Sequence, residues 1–258
     1  PGTLESTVVL PFNNRDAVER IVEREADQLA AILVDPLANQ AGFPEPESDF
    51  FSFLRELTRR HGILLIADEI ISFRIGYRGA SERFGFRPDL ITLGKIIGGG
   101  FPVGAVGGSA DVMSVFDPTS GKPRVPHGGT FNANPVTTAA GVAAMRLWTE
   151  PAVARLEQLG DDLRTRANWV LEESGLAFKL TGQGSLFRLV PSAAGRDYRS
   201  ALPDERAAAQ RRELHLRLLG SGILISPTGL GCLSTVMETD EVNELVEALR
   251  SSATAMTA

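Results

Sequence analysis

The sequence has little cysteine, no excess of positive charge and no long apolar run. Its single cysteine, Cys232, excludes a disulfide framework within the chain and fits a reducing compartment, so we expect a cytoplasmic protein. The net charge of −6 at pH 7 argues against a surface that binds nucleic acid or an anionic membrane. No run of about 18 apolar residues occurs, which predicts no transmembrane helix. The residues also predict no metal site.

Two signals are missing at the start of the chain. The first residues, PGTLESTVVLPFNN, include no initiator methionine and do not have the charged-then-apolar pattern of a signal peptide. We therefore expect the chain to be part of a longer protein.

The composition favours a loop-rich α/β protein with a sizeable core. Hydrophobic residues make up 43% of the sequence, and there are 26 glycines and 15 prolines. Apolar runs typical of buried strands alternate with stretches of helical periodicity, so we expect a mixed, mostly parallel sheet with covering helices. The expected strands are residues 6–10, 30–36, 63–69, 89–93 and 103–108, and the expected helices are residues 16–26, 49–61, 80–84, 111–116 and 136–148.

A change in composition at Glu150-Pro151 predicts a boundary between two domains. Residues 1–150 would form the larger domain and residues 151–258 a small α+β domain. The expected elements of the small domain are an amphipathic helix at 152–174, a hairpin at 177–190, a helix at 203–219, a strand at 223–226 and a helix at 240–251. The amphipathic helix has an apolar face made of Val153, Leu156, Leu159, Leu163, Ala167 and Val170.

Two residues of opposite charge follow apolar runs in the larger domain. Asp68 follows the run ILLIA, and Lys95 follows DLITL after one glycine. A charge at the end of a buried strand is costly unless it is paired or functional. Because ligands bind at the carboxyl ends of parallel strands, the pair predicts a site at that edge of the sheet.

The chemistry of these two residues suits a pyridoxal cofactor. A lysine that is desolvated in an apolar, glycine-rich setting has a lowered pKa, which leaves its amine free to form a Schiff base. An aspartate beneath a cationic ring nitrogen keeps that nitrogen protonated. The glycine run 98–100 does not have the spacing of a dinucleotide-binding loop, so a nucleotide is not expected.

Three segments carry a family resemblance. DEIISFR, PDLITLGKIIGGGFPVGAVGG and HGGTFNANPVTTAAG resemble the motifs of class III pyridoxal-phosphate-dependent aminotransferases, and are most similar to the glutamate-1-semialdehyde 2,1-aminomutase branch. The interval of 27 residues between Asp68 and Lys95 (95 − 68) fits the family pattern. The resemblance covers residues 5–150 well and the remainder loosely. It implies the fold of type I pyridoxal-phosphate-dependent transferases, with the chain lacking the family's front region.

The resemblance also implies roles for individual residues. Lys95 would form the Schiff base with pyridoxal 5'-phosphate and move the substrate proton, and Asp68 would pair with the ring nitrogen of the cofactor. Ile70 would lie in the apolar bed under the ring. Gly129 and Thr130 would bind the cofactor phosphate of a neighbouring subunit. A homodimer with shared active sites follows from that last role.

The sequence says less about the substrate than about the cofactor. The resemblance implies an amino-acid or amino/keto-acid substrate, and Gln40, Arg74, Arg78 and Arg124 are candidates for binding it. The chain differs from the family pattern at Asp35, where a glutamate is usual. The late loop after Pro227 reads TGLGCL and lacks the carboxylate of the aminomutase branch.

Four functions therefore stay open at this point. The leading interpretation is an aminotransferase that moves an amino group through a Schiff base on Lys95. The others are glutamate-1-semialdehyde 2,1-aminomutase itself, a racemase or epimerase that uses the same cofactor, and a non-catalytic dimerising remnant.

Overall fold

A computed structural model describes residues 2–119, 121–195 and 198–257. Its first sheet has four strands in the order β1-β2-β3-β4: Ala31–Val34, Leu64–Asp68, Leu90–Gly94 and Gly104–Gly108. The first three strands are parallel and β4 is antiparallel to β3. The expectation of a mixed, mostly parallel sheet is therefore confirmed.

Helices connect and cover these strands. Their bounds are α1 Gly2–Glu5, α2 Arg15–Glu25, α3 Phe50–His61, α4 Ala80–Arg83, α5 Ala110–Met113 and α6 Pro135–Leu147. Local signals explain several of the ends. Asn14 caps α2 by accepting a hydrogen bond from the backbone N–H of Ala17, and α3 ends at Gly62, whose φ of 67° is the left-handed conformation typical of a helix C-cap.

The core of this first part lies between helices α2 and α3 and strands β1 and β2. The fully buried side chains in this core are hydrocarbon and need no hydrogen-bond partner. They include Val18, Val22, Leu54, Leu57 and Leu65. The buried face of α3, which includes Phe50, Phe53, Leu54 and Leu57, packs into this core.

The remaining chain forms an antiparallel sheet covered by three long helices. The strands are β5 Phe178–Thr181, β6 Leu186–Pro191 and β7 Leu230–Cys232, in that order, and the helices are α7 Glu150–Glu173, α8 Glu205–Gly220 and α9 Thr239–Thr257. The apolar face predicted for α7 is buried at all six positions. Trp148 packs into the same core. The division into two domains at residue 150 stays a prediction.

Two strands expected from the sequence are absent. Residues 7–10 form no ladder, and Val9 is 84% exposed, because no described strand lies beside this segment to accept its backbone hydrogen bonds. Residues 223–226 are also not a strand. The position next to β6 is filled by β7 instead, after a turn in which Gly229 donates to the Ser226 carbonyl.

The helices in the described ranges do not resemble membrane spans. None of them is both long enough and apolar enough to cross a lipid bilayer.

Candidate active site

The site begins where strands β2 and β3 end. Asp68 is in register with Thr92, and Lys95 follows β3 directly. The Thr92 hydroxyl and the Ile70 backbone N–H each donate to Asp68 Oδ1 at 3.1 Å. Within the part of the chain that the structure describes, Asp68 Oδ2 accepts no hydrogen bond. The two charged residues therefore lie on adjacent strand ends, as expected.

Lys95 sits in a strained turn. Its φ of 50° is in the left-handed region, which costs a residue with a side chain roughly 1–2 kcal/mol. The strain arises because β3 turns at once into a short 3-10 helix, Lys95–Gly98, which ends at Gly99 with φ 58°. Strained backbone at a chemically active residue is typical of functional sites.

Lys95 is exposed in this chain, so the expectation of a desolvated lysine was wrong for the described residues. The reason is that no described segment covers the strand end from which it projects. Asp68 is only half-buried.

A deeply buried carboxylate next to Asp68 is Glu69, which the sequence interpretation passed over. Glu69 is 0% exposed, and its carboxylate accepts from the backbone N–H groups of Ala80 at 2.6 Å and Ser81 at 2.8 Å. It thereby caps α4 and closes the loop that follows the site. A carboxylate with two short backbone donors is satisfied, so Glu69 is structural.

Asp35 brings a second carboxylate close to Asp68. Burial raises the pKa of Asp35, the backbone N–H groups of Leu37 and Asn39 lower it, and the negative charge of Asp68 raises it further. Neither carboxylate has an ion-pair partner among residues 2–119, 121–195 and 198–257. The site therefore holds uncompensated negative charge that a cationic group would stabilise.

A cavity of about 520 Å³ opens beside Lys95. Its lining is mostly apolar and comes from the turns after β2 and β3, the end of α6, the second sheet and the loop after β7. The lining residues are Ile70, Ile71, Arg74, Lys95, Ile96, Ala144, Met145, Leu147, Trp148, Leu186, Leu230, Gly231, Cys232, Ser234 and Thr235. The sequence connected the late loop TGLGCL, which contains β7, with the substrate. It gave no local signal for the end of α6 or for Leu186, because their positions depend on how the second sheet packs against the first.

Three predicted site residues line this cavity, and four others do not. Lys95, Ile70 and Arg74 line it, whereas Asp68, at the end of β2, is not part of its lining. Gln40 is exposed elsewhere, next to the buried Asn39. Gly129 and Thr130 are exposed on the loop before α6 and do not line the cavity.

The other candidate arginines also lie outside the cavity. Arg78 is 70% exposed at its side chain and contacts Glu82 at 3.8 Å, and Arg124 is exposed. Within the described residues, no cluster of His, Cys, Asp or Glu side chains is arranged to hold a metal ion.

The chain has clear relatives. The class-III aminotransferase family model matches residues 6–251. The glutamate-1-semialdehyde 2,1-aminomutase of Thermomicrobium roseum is 38% identical over 97% of this chain and 58% of its own length. The chain therefore spans under two thirds of that curated relative.

Solved structures agree in fold. An omega-transaminase from Sphaerobacter thermophilus matches with a TM-score of 0.94 and 49% identity, covering 98% of this chain and 58% of that one. A structure described as a transaminase with PLP bound matches with a TM-score of 0.91 and 39% identity, over 99% of this chain and 60% of that one. Together with the match of the family model over nearly the whole sequence, these likenesses lead to one conclusion: the chain belongs to the class-III aminotransferases.

Proposed function

We propose that the protein is a pyridoxal-phosphate-dependent aminotransferase that attaches its cofactor through Lys95. The observation that carries the proposal is the arrangement of Lys95 on the cavity wall with Asp68 at the end of the adjacent strand. Family membership and the PLP-bound transaminase among the similar structures support it.

The residues present fit this cofactor. Asp68 has an unbonded Oδ2, and it lies near a second uncompensated carboxylate at Asp35, so a protonated ring nitrogen is the kind of group that this end of the sheet would stabilise. Ile70 offers an apolar surface in the cavity, and the exposed amine of Lys95 is free to react.

Bound pyridoxal phosphate would supply an electron sink for negative charge at the substrate Cα. The chain's own residues would do the rest. Lys95 Nζ would hold the cofactor at rest and, once released by the incoming amine, would take the proton from Cα. Asp68 would keep the ring nitrogen cationic. The apolar walls would exclude water and so strengthen these charge interactions.

We also propose a cytoplasmic homodimer in which the loop around Thr130 serves the neighbouring subunit's site. The support is the exposure of this loop, where Phe131 is 82% exposed, and the donor chemistry of Gly129 and Thr130, whose N–H and hydroxyl groups suit a phosphate. Sedimentation velocity tests the dimer, and Phe131→Asp is expected to shift it towards monomer. A monomeric wild-type protein would contradict this part.

The related aminomutase motivates a second candidate, an amino-group shift within one substrate. The late loop TGLGCL, which has no carboxylate, favours transfer between two substrates instead. An amino-acceptor assay separates the two, because an aminomutase or a racemase turns over without an added keto acid, whereas a transaminase does not.

The proposal is tested by cofactor uptake. The purified protein mixed with pyridoxal phosphate is expected to develop long-wavelength absorbance that survives gel filtration, and Lys95→Ala is expected to abolish it. Lys122→Ala and Lys179→Ala are the matched controls, since these are the only other lysines in the sequence. A wild-type protein that retains no cofactor would overturn the proposal and support the non-catalytic alternative.

A further inference from the structure

Arg188 on β6 is a buried cation that contacts only neutral groups. It is 7% exposed, and its Nη1 donates to the Asn39 carbonyl at 2.9 Å and to the Asn39 side-chain oxygen at 2.7 Å. Its neighbours across the sheet, Thr181 on β5 and Leu230 on β7, carry no charge. In the described part of the chain, Nε and Nη2 make no hydrogen bond, and no carboxylate oxygen lies within 4.0 Å of the guanidinium. A buried charge of this kind is costly unless an anion compensates it.

A second arginine, Arg211 on α8, lies close to Arg188. Burial lowers the pKa of Arg188, and the positive charge of Arg211 lowers it further. Burial also lowers the pKa of Arg211. The Arg211 Nε is shielded from solvent, and the side chain makes no hydrogen bond or ion pair with any described residue. Because guanidinium groups stay protonated, the fold holds two positive charges that repel each other.

The sequence of α8 gives Arg211 no carboxylate partner. Side chains three and four positions apart on a helix are neighbours. For Arg211 these neighbours are Ala207, Ala208, Leu214 and His215. Arg217 on the same helix, by contrast, pairs with Glu213 at 2.8 Å.

His215 adds a further polar atom on the same face of α8. Its Nδ1 is shielded from solvent and has no hydrogen-bond partner among the described residues. Arg188, Arg211 and His215 therefore form a cationic cluster with unused hydrogen-bonding groups. None of the three lines the cavity beside Lys95, so the cluster is separate from the proposed reaction site.

We propose that this cationic cluster binds the phosphate group of a small molecule. A phosphate carries up to about two negative charges at pH 7, which matches the two guanidinium groups. Its several acceptor oxygens suit the unused N–H groups of both arginines. A single carboxylate would leave one of the two positive charges uncompensated, so phosphate is the better match.

Equilibrium dialysis of radiolabelled inorganic phosphate tests the site, at an ionic strength fixed with sodium chloride. The protein is first loaded with pyridoxal phosphate and freed of excess, so that the cofactor's own phosphate does not compete. We expect one saturable phosphate per chain in wild type. Arg211→Met is expected to weaken this binding by about tenfold to a hundredfold, because it removes charge-assisted hydrogen bonds. Glycerol 3-phosphate is the second probe: tighter binding than inorganic phosphate assigns a phosphate monoester, and weaker binding assigns the free ion.

Arg212→Met is the matched control, because it removes the same charge from the next, exposed position of α8. It is expected to leave phosphate binding unchanged. Thermal unfolding separates binding from a structural role. In chloride, Arg211→Met should be at least as stable as wild type, since it removes an unpaired charge, whereas phosphate should raise the Tm of wild type and not of this variant. Wild type without saturable phosphate binding, Arg211→Met with undiminished binding, or equal losses in Arg211→Met and Arg212→Met would each overturn the proposal.

Discussion

The C-terminal residues 151–257 and the segment from Gly99 to Leu147 are covered very differently. In the C-terminal part, helices α7, α8 and α9 enclose the apolar face of a small sheet, and the side chains between them are almost fully buried. In the other segment, β4 is largely exposed and α6 buries only Gly141. The second region carries most of the family motif, and the first carries most of the packing. Much of the family motif therefore lies in a segment that contributes little to the buried core of the described residues.

Within the exposed segment, β4 pairs with β3, and α6 approaches the turn that presents Lys95 at two glycines. A Cβ atom on Gly141 would lie 2.3 Å from the Ile97 carbonyl oxygen, and one on Gly99 would lie 2.3 Å from the Ala140 carbonyl oxygen. The small residues of α6 thus let it approach the turn that presents Lys95. This contact places α6 beside the Lys95 turn, and Gly141 is the only buried residue of α6.

Truncation of the C-terminal core should have the largest effect on stability. Leu163 is fully buried in α7, and Leu163→Ala is expected to lower the free energy of unfolding by about 2–5 kcal/mol through lost burial and a cavity. Val142→Ala, at a site in α6 that is 51% exposed, is the matched control and should change it by less than about 0.5 kcal/mol. Urea unfolding measures both. Equal losses would show that the two regions are packed alike.

A methyl group at the α6 contact should have a smaller effect. Gly141→Ala is expected to cost about 1–3 kcal/mol, because the new Cβ forces the helix away from Ile97. Gly220→Ala, where nothing lies within 4 Å, controls for the helix propensity of alanine and should be neutral or slightly stabilising. Thermal and urea unfolding compare the two variants. A neutral Gly141→Ala would mean that α6 is not tightly joined to the Lys95 turn.

The pH dependence of stability near Asp35 should show the smallest effect. Its pKa in the folded protein lies above the ordinary 3.8, mainly because of burial. The unfolded chain therefore releases this proton first, and the free energy of unfolding falls as pH rises through the window above 3.8. Asp35→Asn removes the penalty while it keeps an acceptor for the Leu37 N–H, so its advantage over wild type should grow with rising pH.

Urea unfolding at several pH values between about 4 and about 7 measures this difference. Asp27→Asn, at an exposed site, controls for the loss of one negative charge. Parallel curves for wild type and Asp35→Asn would mean that the uncompensated carboxylate charge near the site does not affect folding.

Local patterns in the sequence predicted much of this fold. The apolar face of α7 and the parallel strands that end at Asp68 and just before Lys95 were both predicted from neighbouring residues. A strand was expected at 223–226, but the strand that forms is β7. Composition could not distinguish the two segments, because both are short and only long-range pairing with β6 decides which one becomes a strand.

The candidate site could be predicted only in part, because long-range contacts place some of its residues. Lys95, Ile70 and Arg74 were expected and line one cavity. Trp148 and Leu186 line it only because the second sheet packs beside Lys95, a long-range contact with no local signal. Glu69 was passed over because the sequence does not show which of two adjacent carboxylates points into the protein.

The most direct test of the central claim is reductive trapping of the cofactor. The protein is incubated with pyridoxal phosphate, reduced with borohydride, digested and mapped by mass spectrometry. We predict one phosphopyridoxyl group on the peptide that contains Lys95, with Lys122 and Lys179 unmodified. Modification spread over all three lysines, or none on Lys95, would contradict the assignment of this strand end as the cofactor site.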